Sequence, residues 1–324
     1  MKAATYRPVL CDTHGNSVRN GIDKKQHAKD TAELNASFDE HAREGWQLIK
    51  ENEVEKPLWF RNQERQARKL VRSLGLVAAK RTSITIVDTE NPDVVEKLFP
   101  WDKDGIYTQA VYDRPYGIYI RKPVVEMART QAMPRAIGKT LAHELTHSAE
   151  YIGRNYYQQY DYDTNEWITH QRQGFNTDVR DIRRGAFYSE GVAEFVAGLY
   201  ARGYDRTKDA LVSITDTPTA ELPVQYREHN VDTGVPICVG PDAYALEVLA
   251  WGAEQKGIAP KDALIRSALA TYSLKDSVRL EGFRSFARTI NALRPGLYTD
   301  LRDLQLGHDA WQHGLDMALD AVTR

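Results

Sequence analysis

Cysteine is nearly absent from this chain: 324 residues hold two, Cys11 and Cys238. They stand far apart and form no CxxC knuckle, which excludes a disulfide-stapled miniprotein. Both read as reduced or incidental, the alternative being a single long-range disulfide. Long apolar runs are missing too. None approaches the ~20 residues that cross a bilayer as a helix, which excludes a helical membrane channel. No sign of charge dominates: 43 Lys and Arg against 45 Asp and Glu leave a formal net charge of −2. A broad nucleic-acid-binding face needs clustered basic excess and is not expected. Repeats and low-complexity tracts are also lacking. The start, Met1 to Asn16, has no apolar h-region of a secretory signal. The expected location is the cytoplasm, or outside the cell by a route without a recognisable signal peptide, unless a signal has been removed.

Enough apolar residues are present for a large core. At 42% hydrophobic, a chain of this size buries roughly 75% of its extended surface on folding. Residues 1–25 are polar and aperiodic, like an extended arm. A helical pattern covers about His27 to Lys50, and a second helix runs from about Arg61 to Leu74. Its arginines read as a solvated face. The period then changes. Thr82 to Val87 alternates and is β-branched, which predicts a strand. Asn91-Pro92-Asp93 should cap a short helix to Leu98. Ile106–Val111 and Tyr116–Ile120 read as two strands of a hairpin or as neighbours. A short helix to Arg129 follows, then a long one from Pro134 to about Ile152, with Gly153 to end it. Residues 154–187 mix Tyr156, Tyr157, Tyr160, Tyr162 and Trp167 with polar residues. They predict a packed surface loop between Arg154 and Gln173. A helix over about 188–200 and a turn-rich stretch from Thr215 to Gly240 come next. Helices are expected at about 241–256, 260–271, 278–292 and 309–322. The chain reads as α+β with a mainly helical C-terminal half.

One motif carries chemistry: His143-Glu144-Leu145-Thr146-His147, an HExxH. An α-helix turns once in 3.6 residues, so His143 and His147 lie one above the other on one face. Their imidazoles can converge on one metal ion. Glu144 sits about 100° round, within reach of a water on that ion but not aimed at the ion itself. Ile137, Leu141, Leu145 and Ala149 form an apolar stripe. Ala136, Thr140, His143, His147 and Glu150 share a more polar face. A chance HExxH recurs in roughly one chain per hundred of this length, so a third ligand decides the matter.

A metzincin would need Gly at 150 and His at 153, where this chain has Glu150 and Gly153. Asp178 and Asp181 sit in no clear helical frame. The remaining candidate is Ser189-Glu190-Gly191-Val192-Ala193-Glu194-Phe195. Glu190 and Glu194 are one turn apart on one face, while Val192, Phe195, Val196 and Leu199 are apolar. An acidic pair usually marks a solvated face, but this helix carries no Lys or Arg until Arg202. One carboxylate can bind metal, and the other can accept the free ring N–H of a ligand histidine.

HExxH followed by E-G-x-A-E-[FY] on a later helix resembles the gluzincin branch of the zincin metallopeptidases. The resemblance covers roughly residues 82–200. It implies zinc held by His143, His147 and Glu190, Glu144 as general base, and Glu194 behind a ligand histidine. The E-x-x-A-E-F form is also similar to the catalytic domains of lethal-factor-type bacterial toxins. The gap of 43 residues from His147 to Glu190 is longer than in thermolysin-like members. The family fold implies a small mixed sheet packed on the HExxH helix. Its edge strand, best matched by Tyr116–Ile120, would pair with extended peptide. The family also places a Tyr or His oxyanion donor after the third ligand. Tyr226 and His229 are the candidates, with Tyr188 competing. The implied organisation is an N-terminal helical arm (1–80), a zincin core (81–205) and a helical C-terminal subdomain (206–324). The expected activity is zinc-dependent hydrolysis of a peptide or protein substrate. The rivals are a zincin-shaped binding or structural module, and a zinc hydrolase of a non-peptide substrate.

Overall fold

Alternation at 82–87 produces a strand whose two faces enter different cores. The computed structural model describes residues 40, 43–76, 82–100, 108–113, 117–150, 152–161, 166–173, 175–179, 182–201, 227–229, 236–238, 241–304 and 308–323. The polar arm (1–25), Cys11 and Tyr226 lie outside them. After α1 (described over 43–51) come β1 (Glu53–Val54), α2 (Leu58–Ser73), β2 (Ile84–Val87), α3 (Pro92–Leu98), β3 (Ala110–Asp113) and β4 (Gly117–Arg121). The four strands form a mixed sheet in the order β1-β2-β4-β3. Only the β2–β4 pair is parallel, with Ile84 opposite Ile118 and Ile86 opposite Ile120. Those four isoleucines face the main core. Val87 and Tyr119, on the other face, pack with Val94, Leu98 and Phe99 around α3. The predicted cap is there: Asn91 Oδ1 accepts the Asp93 N–H at 3.0 Å.

The edge strand is not the expected one. β4 is paired on both sides, and β3 forms the outer edge beside the next long helix. Position in a sheet depends on which strands find partners, and a strand's own residues do not encode it. α4 (Lys122–Thr130) leads to α5 (Pro134–Ala149), which carries the HExxH motif and starts on a proline. α5 stops at Ala149, short of Gly153, because Glu150 leaves the helix with φ −51° and ψ 127°.

The stretch predicted as a loop is a second sheet. β5 (Ile152–Asp161), β6 (Glu166–Gln173), β7 (Asn176–Val179) and β8 (Ile182–Arg184) pair antiparallel in chain order. Its Tyr, Trp, Ile and Thr are strong strand formers. The polar residues among them suggested a loop, but a ladder satisfies its own main chain whatever the side chains carry.

α6 (Ala186–Ala201) returns to the core. Of its 16 residues all but Glu190 and Glu194 are buried, as expected of a helix apolar nearly everywhere except at that acidic pair. The chain ends with β9 (Arg227–His229) paired to β10 (Pro236–Cys238), then α7 (Pro241–Gln255), α8 (Lys261–Ala270), α9 (Asp276–Leu293), α10 (Leu297–Arg302) and α11 (His308–Thr323). Six-residue α10 escaped the sequence reading; it begins after Gly296, whose φ of 83° favours glycine. One connected core runs from Phe60 on α2 to Val322 on α11. The fold is mixed α+β, mostly helical, with a small four-stranded mixed sheet.

One contact sets the distance between α5 and α6. Gly138 lies against the Tyr200 ring, and a Cβ at 138 would overlap it. Tyr200 is fully buried. Its hydroxyl donates to Gln63 Oε1 at 2.7 Å or Gln66 Oε1 at 3.1 Å. The Arg135 guanidinium lies over its ring at 4.6 Å and also donates to its carbonyl oxygen.

Candidate metal centre

The spacing of HExxH on α5 stacks the two imidazoles with ring centroids 4.7 Å apart. α6 crosses beside them and delivers Glu190. His143 Nε2 and His147 Nε2 are 3.1 Å apart. Glu190 Oε2 lies 3.2 Å from His147 Nε2 and 3.4 Å from His143 Nε2. Ligands about 2.0–2.1 Å from a tetrahedral ion stand roughly 3.3 Å from one another. The three separations bracket that value, and two imidazole nitrogens with one carboxylate suit a divalent transition metal. Among the described residues this is the cluster able to hold a metal.

Opposite charges face one another across the cluster. Burial works against protonating His147, but Glu190 and Glu150 outweigh it and push its pKa up to about 10. Burial likewise opposes charge on His143, yet Glu190 and Glu194 hold it well above the ordinary histidine value. Burial would raise Glu190, and the two imidazoles reverse this and hold it well below the usual carboxylate range. A metal entering must therefore displace protons.

Glu144 is not among the three. It is buried, and its Oε2 accepts the Tyr112 N–H from β3 at 2.8 Å. Burial raises its pKa above the usual value, which suits a group that must both take and give a proton. Glu194 stands behind His143, with Oε1 3.0 Å from Nδ1. The approach is close, but it falls short of a well-formed hydrogen bond from the ring N–H. Lys139 lies 3.6 Å from the same carboxylate, and with His143 it lowers the Glu194 pKa against the effect of burial.

Two groups at the site were not singled out in the sequence. Glu150 Oε1 lies 3.0 Å from His147 Nδ1 and accepts a hydrogen bond from Ser189 Oγ. The signal was available: Glu150 is three residues past His147 on the same polar face. The Tyr112 N–H had none, because every residue but proline carries one.

Tyr188 does not reach the centre. Its hydroxyl donates to the Tyr298 carbonyl at 3.1 Å, and its ring stacks on that of Tyr298 among Phe175 and Phe286. Two residues before Glu190 on a helix, it points to another face. His229 lies on β9, where only the backbone is described. Tyr272, buried on the C-terminal side, has a hydroxyl with no partner among the described residues. Burial raises its pKa well above the ordinary value, and the fields of Glu150 and Glu190 add to this.

No protein family, curated protein or solved structure matches this chain. Among the described residues no helix is long and apolar enough to cross a membrane.

Proposed function

We propose that this protein is a zinc-dependent peptidase of the gluzincin type. One observation carries the reading: His143, His147 and Glu190 converge at ligand spacing while Glu144 stands beside them and outside the ligand set. A purely structural site has no use for such a base. Zinc, when bound, supplies a water of pKa near ~7 and polarises a carbonyl. Glu144 takes the proton of the attacking water and returns it to the leaving amine. The Tyr112 N–H orients the carboxylate throughout. Among the described strands β3 is the outer one on this side, so an extended peptide laid alongside it passes Glu144 and the ligands. Tyr226 and His229 are the proposed oxyanion donors, each worth about 10²–10³ in turnover.

The test is digestion of a broad peptide library by zinc-loaded protein, by the same protein after chelation, and by Glu144→Gln. Chelator-sensitive cleavage that Glu144→Gln abolishes, with its zinc retained, is the expected result. A wild-type protein that holds zinc and cleaves no peptide would overturn the peptidase reading.

A further inference from the structure

Each ligand histidine has a carboxylate near its Nδ1, and the two carboxylates are not alike. Glu194 is about a quarter exposed, shares Lys139 and makes no well-formed hydrogen bond with its ring. Glu150 is 2% exposed. Its Oε1 meets His147 Nδ1 in a hydrogen bond and also accepts the Ser189 hydroxyl. Ser189 is fully buried and directly precedes ligand Glu190 on α6. Glu150 thus joins the end of one metal-bearing helix to the start of the other. Leaving the helix at Glu150 is what turns this carboxylate back onto His147: its N–H still donates to the His147 carbonyl at 3.0 Å while its ψ is already extended.

Burying a carboxylate is costly unless it is paired. Of the charged groups described around Glu150, His147 is the one it touches. Held at Nδ1, the ring keeps its proton there and turns the Nε2 lone pair toward Glu190 and His143.

Resting on the metal-centre reading above, we propose that Glu150, fixed by Ser189, is the principal positioning residue of the site: it sets the tautomer and orientation of His147 and outweighs Glu194 in metal affinity.

Zinc affinity by chelator competition, and the visible spectrum of cobalt-loaded protein, test this on the full chain. Glu150→Ala should weaken zinc by about 10–100-fold and shift the cobalt bands, which lost packing alone would not do. Glu150→Gln keeps an acceptor oxygen for the Nδ1 proton and should recover at least part of that loss. Ser189→Ala should fall between wild type and Glu150→Ala, and Glu194→Ala should cost less than Glu150→Ala. The proposal is overturned by a Glu150→Ala affinity within about twofold of wild type, by a Gln variant no better than Ala, or by a larger loss in Glu194→Ala. If Glu150→Ala does not fold, wild-type affinity in both Glu150→Gln and Ser189→Ala overturns it. Wild-type protein that takes up neither zinc nor cobalt defeats the metal reading itself, a different outcome from intact binding that ignores Glu150.

Discussion

Gly138→Ala should loosen the metal centre from a distance. Residue 138 is more than a turn before His143 and touches no ligand. A methyl there overlaps the Tyr200 ring, and carbon atoms need about 3.5–4.0 Å between them. Either the ring moves or the helices part by about 1–2 Å. Ring movement would break the hydrogen bond that the hydroxyl donates to Gln63 or Gln66, at about 1 kcal/mol. It would also disturb the stacked Arg135, worth about 0.5–2 kcal/mol. Overpacking costs about 1–3 kcal/mol in general, while replacing helical Gly with Ala returns about 1 kcal/mol. The net expectation is a loss of about 0.5–2 kcal/mol. If the helices part, Glu190 retreats from both imidazoles, so zinc affinity falls as well. Urea unfolding of metal-free protein reads the first effect, and chelator competition reads the second. A variant as stable as wild type or more so, with unaltered zinc affinity, would show that this contact does not set the helix spacing.

Other outcomes follow from the same geometry. Glu190→Ala should abolish stoichiometric zinc uptake, measured by metal analysis; retained zinc would move the third ligand elsewhere. In metal-free protein the raised pKa of His147, about 10 against an ordinary 6.5, contributes stability that is full below about pH 6.5 and lost as pH rises toward 10. Zinc-free protein should therefore melt lower at about pH 9 than at about pH 7, and an unchanged Tm would contradict the charge assignment. Asn91→Ala should cost about 0.5–2 kcal/mol through the lost cap, read by urea unfolding. Tyr272→Phe removes a buried hydroxyl without a partner among the described residues and should leave stability equal or higher by up to about 1 kcal/mol. A marked loss would reveal a bonded hydroxyl.

What could be read in the sequence was local. Two histidines and a glutamate within five residues fix their own geometry once a helix forms, and Asn91 with Pro92 announces a helix start. The acidic pair on α6 stood out because every neighbour was apolar. Edge position was not local: Ile118 and Ile120 look like any buried strand until β3 is seen to cover their outer side. The second sheet hid because its polar residues outweighed its tyrosines in a reading based on burial. Glu150 and Ser189 are 39 residues apart and meet only because α5 and α6 pack.

The long separation between His147 and Glu190 is a matter of chain routing, not of chemistry. Both residues are placed by the packing of α5 on α6, and the sheet β5–β8 leaves from the end of one helix and returns to the start of the other. Between anchored ends, doubling a flexible connection costs only about 0.6 kcal/mol. The connection can therefore grow, shrink or be exchanged for another small structure while the three ligand atoms keep their separations. A centre built this way carries its identity in two helical segments and their contact, and the number of residues between them is free to drift.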